Sequence, residues 1–95
     1  MMQYTGQLQQ INLTYLEQGH RMIIVLTNVA DIPKLEFKHA GDTTWREHPG
    51  FSGTITNGVV IQEVRCISGT MRLNFAGAPG SAYFLSIVGA ANPTF

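Results

Sequence analysis

Apolar side chains recur at every second position through most of this chain, and turn residues interrupt the pattern at intervals of roughly 8–12. No window of eleven residues carries the 3.6-residue period of an amphipathic helix. That combination restricts the chain to antiparallel β structure. Gln7–Glu17 alternates Ile11, Leu13 and Tyr15 with Gln10, Asn12 and Thr14. Arg21–Asn28 is a β-branched, apolar run, and Lys34–Lys38 is short, with Leu35 and Phe37 inward. Ala40-Gly41-Asp42 reads as a turn before Thr43–Glu47. Phe51–Thr56 and Val59–Ile67 flank Asn57-Gly58, a pair suited to a type I′ hairpin loop. Thr70–Ala76 and Ser81–Val88 complete seven or eight short strands, with residues 1–6 and 90–95 as tails. The fold class expected is all-β: one domain over residues 1–95, an antiparallel β-sandwich or jelly roll.

Three of these strands are apolar on both faces: Met22–Leu26, Val59–Ile61 and Tyr83–Val88. A strand in a two-layer sandwich buries one face only. A chain of 95 residues buries roughly 60–65% of its unfolded surface, so these surplus faces predict that a sheet face or edge is covered by another chain. Charge composition agrees. Only 13% of residues are charged, against about 25% in an ordinary soluble domain.

Ser68-Gly69 predicts a second hairpin that places Arg65 opposite Arg72 on the outer face and Cys66, Val64, Met71 and Leu73 on the core face. Directly opposed like charges are destabilising. Either Glu63 compensates, or a carboxylate or carbonyl rim on a neighbouring subunit does, which would make both arginines assembly contacts.

Six basic and six acidic residues cancel, leaving no basic stripe for nucleic acid. The single cysteine, Cys66, excludes an intrachain disulfide and reads as a small buried hydrophobe. The first seven residues lack a signal peptide's basic start and apolar core, and Met22–Leu26 is far too short to span a membrane. The expectation is a complete small product made in a cytoplasm, with no membrane partner. His20, His39 and His48 lie in or beside turns without the spacing of a metal pair. No nucleophile elbow or phosphate loop is present, and the carboxylates Glu17, Asp31, Glu36, Asp42, Glu47 and Glu63 are scattered. The expectation is no enzyme, no cofactor and no metal. Trp45, the only tryptophan, is either a platform for a sugar or a neighbouring chain, or a core or rim anchor.

The stretches Thr44-Trp45, Phe51–Thr54, Val64–Phe75 and Gly80–Gly89 resemble, over about half the chain, the small β-sandwich structural proteins of tailed bacteriophage virions. Those are head-decoration (cement) proteins and fibre accessories. The resemblance implies a virion protein, made in the host cytoplasm, that oligomerises, often as a trimer, on a larger shell such as a major capsid protein. Interface residues expected on these grounds are Trp45, Val59, Ile61, Arg65, Arg72, Tyr83 and Phe95. The alternative is a carbohydrate-binding module or a tail or fibre adhesin subunit. A subunit of an oligomeric enzyme is a third reading, which the missing motifs disfavour.

Overall fold

The structure, a computed structural model, describes residues 2–14, 16–39 and 41–89. Among them are eight strands and no helix: β1 (Met2–Gly6), β2 (Gln10–Thr14), β3 (Arg21–Thr27), β4 (Lys34–Phe37), β5 (Arg46–Glu47), β6 (Val59–Arg65), β7 (Thr70–Asn74) and β8 (Tyr83–Val88). They form two antiparallel four-stranded sheets, sheet A in the order β1-β8-β3-β6 and sheet B in the order β2-β7-β4-β5. The chain therefore crosses between the sheets at almost every connection. Only β4 and β5 are consecutive and paired. This interleaving is the jelly-roll arrangement of a β-sandwich.

The inner faces follow directly from strand parity. Sheet A contributes Met22, Ile24, Leu26, Val60, Val64, Tyr83, Leu85 and Ile87, and sheet B contributes Ile11, Leu13, Leu35, Met71 and Leu73. Each such side chain removed from water contributes about 1.5–3 kcal/mol. Cys66 is buried in the same core, together with Val64, Met71 and Leu73. Burial, reinforced by the Glu17 carboxylate, raises the Cys66 thiol above its ordinary range. The folded chain thus keeps this proton where the unfolded chain loses it. The stabilisation is complete below the ordinary thiol pKa and declines as pH rises beyond it. We expect a disulfide reagent at pH 8 to label Cys66 only as fast as the domain opens, and at once in denaturant; immediate labelling of the folded chain would refute its burial.

Several sequence expectations are corrected. Residues 2–6 are not a tail: they pair with β8 from Met2↔Ile87 to Gly6↔Tyr83. Phe51–Thr56 is not a strand. Phe51 is buried and Ile55 packs on the core, a spacing of four that suits an irregular segment crossing from sheet B to sheet A. The Asn57-Gly58 turn does form, with φ of 53° and 76°, closed by an isolated bridge between Thr56 and Val59. β6 and β7 are not a hairpin, because at Ser68-Gly69 the chain changes sheets. Cys66 still bonds toward sheet A, its N–H donating to the His20 carbonyl, whereas the Gly69 carbonyl accepts from Leu16 N–H. The strand expected at Thr43–Glu47 is ordered as such only at Arg46–Glu47. Tyr15, Ala40 of the expected 40–42 turn, and the 90–95 tail with Phe95 lie outside the described residues.

Residues 48–56 form a strap beside β6. His48 N–H donates to the Leu35 carbonyl at 2.7 Å. Its Nδ1 accepts from Gly50 N–H at 2.9 Å, so Nε2 carries the proton and donates to the Arg65 carbonyl at 2.9 Å. Further along, Gln62 Oε1 accepts from Gly53 N–H at 2.6 Å while its Nε2 donates to the Gly50 carbonyl. Side chains, rather than a strand ladder, thus close this flank of the sandwich.

Candidate functional site

Two solvent faces remain after the core is formed, and they differ in chemistry. On sheet A the three two-faced strands lie side by side as β8-β3-β6. Their outer positions fall in register. Val25 pairs with Ile61 and Ser86, Thr27 with Val59 and Phe84, and Ile23 with Val88 and Glu63. The result is a continuous apolar face of Ile23, Val25, Val59, Ile61, Phe84 and Val88. Ile61 is 67% exposed and Val88 37%, while the other four are half-buried, with Thr27 and Ser86 as polar positions among them. Charge is confined to one end. Arg21 Nη1 lies 3.3 Å from Glu63 Oε1. Arg65, opposite Arg21 in register, donates to the Gly19 carbonyl at 3.3 Å.

Arg65 and Arg72 are consequently not opposed; they lie on different sheets. Arg72 occupies the outer face of sheet B between Asn12 and Glu36. Its Nε donates to Glu36 Oε1 at 2.7 Å, and Asn74 Nδ2 donates to the same oxygen at 3.1 Å. Gln10 Nε2 extends the row by donating to Asn74 Oδ1 at 3.2 Å. The compensating carboxylate for Arg72 is therefore Glu36 of the same chain, not Glu63. This ion pair is only 18% and 15% exposed although it lies on an outer face. Trp45 lies against the Arg72 side of it. It lies one residue beyond the Phe37↔Arg46 pair, which carries it across β4, with its ring centroid 4.2 Å from the Arg72 guanidinium and 5.1 Å from Lys38 Nζ. The sequence placed Trp45 beside Arg46, Glu47 and His48, but its partners come from β7 and from the residue that follows β4.

Of the other expected contact residues, Val59 and Ile61 are on the outer face of sheet A. Tyr83 is not: it is 1% exposed, points into the core by strand parity, stacks near Phe75 and donates its hydroxyl to the Leu8 carbonyl at 2.8 Å. Its burial raises its pKa.

The histidines are dispersed. His20 Nδ1 lies 3.1 Å from Glu17 Oε2, His39 meets the Phe37 ring edge-on, and His48 is the buried pin described above. Among the described residues no three His, Cys, Asp or Glu side chains group as a metal site. Asp42 is a turn-capping carboxylate. Its acceptance of the Thr44 N–H, with Arg46 nearby, lowers its pKa. An open cleft of about 500 Å³ lies at one end of the sandwich, walled by Asn28, Asp31, Ile32, Phe75, Pro79 and neighbouring backbone. Asp31 is its one carboxylate.

No protein-family model, curated protein or solved structure matches this chain.

Proposed function

We propose that this chain is a non-enzymatic structural subunit of a virion, which associates with copies of itself on a larger shell through the outer face of sheet A. The observation that carries the reading is the apolar face of Ile23, Val25, Val59, Ile61, Phe84 and Val88, three adjacent strands wide. Flat, β-branched surfaces of this kind pack on one another as the two inner faces of a sandwich do. The rim carries both signs, Arg21 and Arg65 with Glu63, at one end only, which fixes orientation more than it adds affinity. A jelly roll is an architecture used in viral shells and in lectins, and the low charge content fits a surface that is covered.

The test is solution mass. Light scattering coupled to size exclusion is expected to find a closed oligomer for the native chain. Val25→Glu with Ile61→Glu should yield a monomer with an unchanged far-UV spectrum, because both positions face solvent in the isolated fold. A native chain that stays monomeric at about 100 µM, well above the dissociation constants of stable assemblies, would remove the basis for this function.

A further inference from the structure

We propose that the outer face of sheet B is a binding platform for a neutral oligosaccharide, centred on Trp45. It lies on the opposite side of the sandwich from the proposed docking face, so the two readings stand or fall separately.

Sugar recognition needs an aromatic ring against the C–H face of a pyranose and planar polar groups for its hydroxyls. Both are present. Lys38 and Arg72 rise from the outer face of sheet B and meet the Trp45 ring at 5.1 and 4.2 Å. Because Arg72 is rooted in β7 and Lys38 directly follows β4, they hold the indole across the sheet. Beside it, the Gln10–Asn74–Glu36–Arg72 row is fixed by three hydrogen bonds of 2.7–3.2 Å. A row fixed in this way loses little freedom when a ligand binds.

Hydrogen-bonding capacity on this face is left over. Asn12 and Glu47 are exposed, and their side chains have no hydrogen-bonding partner among the described residues. They flank Arg72 and Glu36 in one row across the sheet, Asn12–Arg72–Glu36–Glu47. Four strands at about 4.8 Å spacing give this row a span of about 14 Å, the length of a short oligosaccharide rather than a single sugar. Along it the Asn12 amide can donate and accept and the Glu47 carboxylate can accept, which offers sugar hydroxyls both kinds of partner. Arg72 and Glu36 neutralise each other, and Glu47 offsets one of the two remaining lysines, Lys34 and Lys38, so the face holds no cluster of free cations of the kind that grips phosphate or sulfate.

Trp45 is the only tryptophan, so its emission reports this face alone. The experiment titrates the intact chain with the hexasaccharides of cellulose, starch, laminarin, xylan, mannan and chitin. A saturable shift in emission is expected for at least one of them. Asn12→Ala, which removes no side-chain hydrogen bond among the described residues, should weaken that binding about tenfold by calorimetry, and Trp45→Ala should weaken it at least as much. Trp45→Phe, which keeps a ring, should recover part of the loss. No shift with any of the six overturns the proposal. So does binding that both alanine variants retain, or binding confined to sulfated glycans and lost at high salt.

Discussion

Leu73→Ala is expected to cost about 2–5 kcal/mol of folding stability, the range for a fully buried leucine that leaves a cavity. Leu73 is wholly buried and sits between Ile11 and Leu35 in the register of β2-β7-β4, so no neighbour can move in without breaking a ladder. A domain this small has about 5–15 kcal/mol in total. The thermal midpoint should therefore fall by about 10 °C or more. Urea denaturation followed by circular dichroism is the measurement, and a loss below about 1 kcal/mol would mean that sheet B does not face the core at this position.

His48→Ala is the second large expectation, at about 1–3 kcal/mol, because the buried imidazole serves two backbone groups at once. Removing it forfeits two hydrogen bonds at a partly buried site, each worth about 0.5–1.5 kcal/mol net. The substitution also releases the strap that flanks β6, so protease cleavage should appear first between residues 48 and 56. Gln62→Leu should produce the same cleavage with a smaller loss, because its amide holds the strap at Gly50 and Gly53. A His48→Ala chain as stable and as resistant as the parent would show that the pin contributes nothing.

Strand parity was readable in the sequence, and the connectivity was not. The alternation in β2, β4 and β7 assigns each residue to a face without reference to a partner, whereas the two-sided apolarity of β3, β6 and β8 marks them as strands without saying which face is inner. Partner choice has no such local signature. Ser68-Gly69 has the composition of a hairpin loop, yet the chain changes sheets there, which is why Arg65 and Arg72 part company and Arg72 meets Glu36. Tyr83 was misplaced for a related reason: in a strand apolar on both sides, composition does not say which parity faces the core. The β1 strand did carry a signal, since Gln3 and Thr5 alternate with Tyr4, but five residues with few apolar groups are easily read as a tail. The Trp45 cluster was half legible. Its aromatic and charged members stand out individually, but the ladder from β5 through β4 to β7 that gathers them exists only after folding.

The strand order of sheet A also determines when the domain can be completed. β8 is the last of the described strands, yet it lies between β1 and β3 and pairs with both. A ribosome delivers the chain from its N-terminus, so until Tyr83–Val88 emerges β1 has no neighbour and β3 is open along one side. Sheet B, whose four strands all precede residue 75, can pair beforehand but has only part of the opposing layer to pack against. Synthesis therefore passes through a stage in which half a sandwich waits for its final insert, with the apolar flanks of β3 accessible to any other nascent copy. Closure by so distant a segment makes folding slow. Polysomes crowded with this chain are where misassembly would begin, and a stalled product ending before Tyr83 would be its most adhesive form.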